Sequence, residues 1–289
     1  MRQAIRAISS LHLSTFAKYQ LTGVFKVMEK FGPTEAIYHH DENKHTNNVT
    51  VLASIPFSSG DDTVKQTFKG VSDDGHLVIT DSTIFYAKGG GQPSDTGTMI
   101  SPDQMSTFVV NSVQKLPSGT IIHFGTYSGD PFTDQTSVTQ EINKETRILH
   151  SRVHDGGHIL ASAVRRLGIP GLREIKAQHY PGVAFVEFQG TIPGDKKEEI
   201  ERIANEIVDD DRSIVVHWWS RDELKEKSWT MPEEEDGKDE LVRAVEIEGE
   251  GAYMCGGTHV QSTAAVGKIR VRKLKRQQGV TRVSYEMVS

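Results

Sequence analysis

Two short stretches carry side chains that bind metals. His154 and His158 stand four apart in HDGGH, and Cys255 and His259 stand four apart in CGGTH. Cys255 is the only cysteine in the 289 residues. On a helix, residues at i and i+4 project from one face, so the two histidines can share an ion. Between Cys255 and His259 a Gly-Gly pair lets the backbone turn tightly enough for both side chains to converge. Imidazole nitrogen and thiolate sulfur hold zinc at roughly 2.0–2.3 Å, and the soft thiolate favours zinc over magnesium or calcium. His150 extends the helical face, so HxxxHxxxH is a second conceivable ligand set. Each pair alone is weak, since surface histidines at helical spacing are common and a lone cysteine is usually a small buried apolar residue. Both pairs together, one of them using the only cysteine, carry more weight.

A zinc peptidase would place Glu after the first histidine, as the general base of HExxH. Here the residue is Asp155, followed by Gly156 and Gly157, each of which weakens a helix by roughly 1 kcal/mol. The pattern does not match. A second glycine-rich stretch, TIFYAKGGGQPSDTG, runs through Gly89, Gly90, Gly91, Gln92 and Asp95 to Gly97. No Gly-Lys-Ser/Thr follows, and GxGxxG spacing is absent, so it is neither a P-loop nor a dinucleotide turn. It reads as a long hairpin connection, or as a place where another backbone or a ligand comes close.

These residues need elements to hold them. The stretch 140–168 has helical period, with Ile148, Leu160, Val164 and Leu167 on one side and Gly168 as a stop. A second amphipathic helix is predicted where Ile200, Ile203, Ala204 and Ile207 repeat at i, i+3, i+4, i+7. Strands are predicted in VTVLASI, HLVITDSTIFY, STFVVNSV, TIIHFGTY, GVAFVEFQG, SIVVHWW and LVRAVEIEG, with a C-terminal pair around Gln278-Gly279. The polar stretch 33–48 reads as a loop; its His39, His40 and His45 fit a solvated loop better than a metal site. Short strands in the first half suggest a small antiparallel barrel, and strands mixed with two helices in the second suggest an α+β layer. The expected organisation is an N-terminal segment over 1–21, a barrel-like domain over 22–140 and an α+β domain over 141–289.

Composition is that of an ordinary folded protein, 36% hydrophobic and 25% charged, with a net charge of −6. No apolar run approaches the roughly 18 residues of a membrane span, and nothing in the sequence calls for an obligate protein partner. A single cysteine fits a reducing compartment. The first 28 residues hold Arg2, Arg6, Lys18 and Lys26 but no acid, which resembles a mitochondrial transit peptide as much as an ordinary tail, so the expected location is cytoplasmic or mitochondrial. Charge is uneven: 232–240 is acidic, while KIRVRKLKR over 268–276 carries six Lys or Arg in nine residues. Arg270 and Arg272 in that run are candidate phosphate contacts, or guards of a sheet edge.

Three motifs in this order, FYAKGGGQPSDTG, RILHSRVHDGGHIL and CGGTHV, resemble the alanyl-tRNA editing proteins and the editing region of alanyl-tRNA synthetases. The resemblance runs from about residue 80 to the C-terminus. It implies a β-barrel-like domain joined to a two-layer α/β editing domain, and Zn²⁺ held by His154, His158, Cys255 and His259. It implies hydrolysis of mischarged tRNA(Ala), chiefly seryl-tRNA(Ala) with glycyl-tRNA(Ala) as a second candidate, and the acceptor end of tRNA(Ala) as partner. The length leaves no room for a synthetase catalytic domain, so action in trans is expected. Asp155 and Thr258 are the candidate catalytic residues, and Gly90, Gly91, Gln92, Asp95, Arg270 and Arg272 the candidate substrate contacts. Family members commonly carry Thr or Ser inside HxxxH, where this chain has Asp155-Gly156-Gly157. The alternative is a tRNA-binding module with a structural zinc and no hydrolysis.

Overall fold

The structure, a computed structural model, describes residues 31–60, 62–229 and 241–288. The N-terminal segment and the acidic run therefore lie outside the described residues. Two compact units emerge, one of residues up to Lys88 plus Ser94–Asn143, the other of Gly89–Pro93 plus the residues from Lys144 onward. The five-residue piece from the glycine stretch groups with the second unit although the chain around it builds the first.

The first unit is a closed antiparallel barrel of six strands, β1 (Thr46–Pro56), β2 (His76–Thr80), β3 (Gly97–Ile100), β4 (Thr107–Lys115), β5 (Ile121–Ser128) and β6 (Ser137–Ile142). The order around the barrel is β1-β2-β5-β4-β3-β6. Alternation sets the faces: Val49, Val51, Ala53 and Ile55 of β1 are all buried, with partly covered residues between them. A short helix, α1 (Asp62–Thr67), follows β1. The predicted strand HLVITDSTIFY is only partly one, because β2 stops at Thr80 and Ile84-Phe85-Tyr86 is buried but irregular. Side chains take over the duty of a ladder there. Ile84 N–H donates to Gln140 Oε1 at 3.0 Å, Phe85 N–H to Thr83 Oγ1 at 3.1 Å, and Tyr86 N–H to Asp95 Oδ2 at 2.7 Å. The loop expected over 33–48 also holds a short 3₁₀ turn, Ile37–His39, that buries Tyr38, and it yields to β1 at Thr46.

The second unit is built on α2 (Lys144–Arg166). After it come β7 (Arg173–Gln178), β8 (Phe185–Gln189), α3 (Lys197–Asp209), β9 (Ile214–Trp219), α4 (Arg221–Lys227), β10 (Val242–Ile247), β11 (Gly251–Met254), α5 (Thr263–Val266), β12 (Ile269–Gln277) and β13 (Val280–Met287). One sheet runs β12-β13-β8-β7 and a second runs β9-β10-β11. α2 and α3 lay their apolar stripes against the sheets in one core that includes Leu160, Val164, Ile200, Ile207, Val186 and Val283. Ile200, Ile203, Ala204 and Ile207 are buried as their spacing requires. Gly168 ends α2 with φ +64°, as expected of a left-handed stop. Ile148 departs from expectation: it is 40% exposed, as is Leu149 beside it at 39%, and burial along α2 becomes continuous only from Val153. The hairpin β12-β13 turns at Gln278-Gly279, both at positive φ. No described helix is long and apolar enough to cross a membrane.

Candidate metal centre

α2 carries His154 and His158 one turn apart, and the turn after β11 carries Cys255 and His259. One ligand atom from each of the four lies within 4.8 Å of the others, although the two pairs are about a hundred residues apart in sequence. His154 Nε2 faces Cys255 Sγ at 3.3 Å. A tetrahedral ion with zinc–ligand bonds sets its ligands about 3.5 Å apart, so a small contraction closes the set. The histidines are buried and the cysteine half-buried. His158 Nε2 is buried without a hydrogen-bond partner among the described residues. An imidazole nitrogen left so is costly unless something accepts its lone pair, and a cation does. The donor set and its orphaned nitrogen therefore fit a zinc ion.

A second tier of contacts fixes the rings. His154 Nδ1 donates to Gln92 Oε1 at 2.6 Å, which presents Nε2 to the centre. Gln92 is fully buried; its amide donates to Thr258 Oγ1 at 2.8 Å, and its carbonyl oxygen also accepts the Thr258 N–H at 3.1 Å. Thr258 Oγ1 bonds Ser151 Oγ at 2.7 Å. His259 Nδ1 meets Asp155 Oδ1 at 2.5 Å, and Asp155 Oδ2 accepts the Val260 N–H at 2.7 Å. Both oxygens of Asp155 are thus engaged, on the side of His259 away from its ligating nitrogen. Metal-bound histidines are commonly held this way, by a partner that sets tautomer and ring angle. Gly257 N–H points at Cys255 Sγ at 3.4 Å, and Arg243 Nη1 donates to the Cys255 carbonyl at 2.7 Å.

Burial, and the crowd of His179, His158 and His259, hold His154 well below the ordinary histidine range; burial, His259, His179 and Arg165 do so for His158. Both are therefore neutral, the form that ligates. Burial pulls His259 down too, but the Asp155 carboxylate and Cys255 outweigh it and hold that ring well above its usual value.

The structure places the other sequence candidates as follows. Gly91 has φ +76° and lies against β7, where a Cβ would come within 2.7 Å of the Ala177 carbonyl oxygen. The glycine stretch is thus a close approach of two backbones. Gly90 sits beside it, also at positive φ. Asp95 is buried in the barrel unit, holding the Tyr86 N–H. Arg270 and Arg272 stand on β12, the edge of its sheet, and both reach Glu286, at 3.5 and 3.9 Å. His150 is buried but outside the metal cluster.

The sequence reading missed His179. Its ring stacks on His154, with centroids 4.3 Å apart and planes 13° from parallel. Tyr285 O–H donates to the Val153 carbonyl at 2.7 Å and so accepts from His179 Nδ1 at 2.8 Å. Burial pushes His179 down to about 3. Gly157 makes the room: a Cβ there would run into the His179 ring. Gly257 does the same for His154.

Two family models match parts of this chain. Residues 10–146 match "tRNA synthetases class II (A)", and residues 242–284 match "Threonyl and Alanyl tRNA synthetase second additional domain". The alanine–tRNA ligase of Pyrococcus abyssi is 32% identical over 215 residues, 73% of this chain and 23% of the ligase. That of Ignicoccus hospitalis is 29% identical over 266 residues, 88% of this chain and 26% of the ligase. That of Mycobacterium sp. (strain KMS) is 30% identical over 200 residues, 67% and 22%. The chain thus spans about a quarter of the length of these relatives. With three motifs in order, a His₃Cys cluster assembled from the last two and these matches over most of its length, the chain belongs to the alanyl-tRNA editing family.

Proposed function

We propose that the chain is an aminoacyl-tRNA deacylase acting in trans on mischarged tRNA(Ala), chiefly seryl-tRNA(Ala) and also glycyl-tRNA(Ala), with zinc at His154, His158, Cys255 and His259. The observation that carries the reading is the convergence of four ligand atoms within 4.8 Å, with Gln92 and Asp155 holding two of the rings from behind. Bound zinc would supply an electrophile that anchors and polarises the ester or a water. The protein's own part is positional. Gln92 and Asp155 fix tautomers, Thr258 ties the CGGTH turn to Gln92 and Ser151, and Gly91 lets the loop carrying Gln92 approach β7. Asp155 and Thr258 thus serve as positioning residues, and Asp95 braces the barrel. Arg270 and Arg272 would contact RNA phosphates.

The need for such an enzyme follows from sterics. A pocket made for alanine rejects serine, which adds only a hydroxyl, by on the order of 100-fold. A second site that hydrogen-bonds the hydroxyl spares alanine, which leaves that site's polar groups unpaired.

Four protein ligands also suit a closed structural site, which favours the second reading: a tRNA-binding module that does not hydrolyse. Zinc-loaded and chelated protein should be assayed against seryl-, glycyl- and alanyl-tRNA(Ala), with metal content measured alongside. We expect loss of seryl and glycyl esters, sparing of alanyl, and inactivity after chelation. Binding of tRNA without cleavage by the zinc-loaded protein would establish the second reading.

A further inference from the structure

We infer that the outward face of the sheet β12-β13-β8-β7 is a docking surface for a duplex RNA stem, held by its phosphates and not read by its bases. The inference rests on the RNA-directed function proposed above and gives it a surface apart from the metal centre.

Register decides what this face carries. α2 and α3 cover the other side, where Val186, Val283 and Leu274 lie. On the outward side Lys176, Glu187, Arg282 and Lys275 are cross-strand neighbours, one per strand, in a row from β7 to β12. Strands stand about 4.8 Å apart, so the row is about 14 Å long. Lys273 lies two residues from Lys275 on β12 and so shares its side. Arg173 lies three residues from Lys176 on β7, and the register shift between them keeps both outward. Glu187 neutralises Arg282, at 2.7 Å. Arg173, Lys176, Lys273 and Lys275 are exposed and have no acidic partner among the described residues. Four uncompensated cations on one face of a chain with net charge −6 make a local field for a polyanion. Edge protection alone does not account for them. The end of β7 is already closed by the glycine loop, whose Gly91 carbonyl accepts the His179 N–H at 2.8 Å, and Arg282 stands on an inner strand, which needs no guard.

The face also selects the form of RNA. Proteins hold single strands by stacking bases on exposed aromatic rings. Of Phe185, Phe188 and Tyr285 on these strands, Phe185 alone turns outward. It is only 7% exposed, because the Arg282 guanidinium lies 3.8 Å from its ring centroid. Cations without a stacking platform suit a duplex, which is recognised by shape and backbone. A groove of roughly 300 Å³, bounded by Ile175, Lys275, Arg282 and the turn at Gln278, gives a sugar–phosphate strand a seat. β7 then leads toward the metal centre: three residues past Lys176, about 10 Å along an extended chain, His179 stacks on His154.

The probe is a blunt RNA hairpin of about 12 base pairs, titrated against the zinc-loaded full chain by fluorescence anisotropy over a range of salt. A single strand of the same length and polyglutamate of the same charge serve as competitors, and both should displace the hairpin poorly. Arg173→Glu with Lys176→Glu removes two phosphate contacts on β7. Between about 50 and 200 mM salt the parent should therefore lose about tenfold more affinity than this variant. Lys273→Glu with Lys275→Glu, on the opposite edge, should do the same, so the result does not hang on one variant folding. Lys197→Glu with Arg202→Glu makes an equal change of charge on α3, behind the sheet, and should keep the parent's salt dependence. The proposal is overturned if the β7 and β12 variants keep that dependence, or if the α3 variant loses it equally. It is also overturned if the single strand or polyglutamate displaces the hairpin as well as unlabelled hairpin does, which would assign the face to single strands or to acidic proteins. The hairpin carries no ester and offers the metal centre no single-stranded end. Deacylation can therefore fail while this surface stands, and the surface can fail while deacylation stands.

Discussion

Gln92 does for His154 what Asp155 does for His259: each accepts from Nδ1 and so commits Nε2 to the centre. Losing such a partner typically weakens a metal site 10–100-fold. Gln92→Leu should lower zinc affinity by about that range in a chelator competition, with the far-ultraviolet circular dichroism spectrum kept. Asp155→Asn discriminates between two roles. If Asp155 positions His259, the variant should bind zinc more weakly but regain most of its hydrolysis once zinc is saturating. A general base would leave hydrolysis abolished at any zinc concentration. The HDGGH and CGGTH ligands were legible because spacing within one turn is a local property. Gln92 was legible only as a polar residue in a glycine-rich loop, because its partner lies 62 residues away. His179 carried no spacing signal of its own. Its trace in the sequence is Gly157, unusual inside a helix and explained by a ring that needs the space; Gly156 beside it lies instead against Met287 and Tyr285.

At the scale of elements, period decided what could be read. α3 and β1 have strict patterns and appear where predicted. β7, with the sequence REIKAQ, lies at a sheet edge and has no clean alternation of burial, so nothing in its composition announces a strand. The stretch after β2 misleads in the opposite sense, since Ile84-Phe85-Tyr86 has strand composition but side-chain partners for its backbone. The barrel also carries a buried histidine. His123 Nδ1 donates to the Val78 carbonyl at 3.0 Å and its Nε2 meets Thr83 Oγ1 at 2.8 Å. Burial lowers it from 6.5 to about 4. The folded state thus binds this proton less readily than the unfolded chain. Its contribution to stability is full above pH 6.5 and is lost as pH falls toward 4. The shift corresponds to about 3 kcal/mol. Denaturant unfolding of the parent and of His123→Gln should diverge by roughly that amount in slope-integrated stability between pH 6.5 and 4, the variant being the flatter. Parallel curves would mean that His123 does not titrate between the two states.

For the molecule as a whole, the problem is charge. A chain with net charge −6 repels a polyanion at long range, so any grip on RNA must come from a local basic surface. β12 provides one. Arg270, Arg272, Lys273, Lys275 and Arg276 are all exposed on it, and the register shifts between Val271 and Lys273. A bulge and a row of cations are also how an edge strand avoids pairing with another sheet, so the strand alone does not choose between the two roles. The ion pairs narrow the choice. Arg270 and Arg272 share Glu286 at 3.5 and 3.9 Å, and exposed pairs at such distances contribute little, so both guanidinium groups can leave for a phosphate. Each phosphate contact adds about 0.7–0.9 to the slope of log affinity against log salt concentration. Charge reversal of both, Arg270→Glu with Arg272→Glu, should therefore flatten the slope for tRNA by about 1.4–1.8 and weaken binding most at low salt, while zinc content stays at parent level. If the slope is unchanged and the variant instead associates with itself, β12 is a guarded edge, and the RNA contact must be sought on another face of the unit.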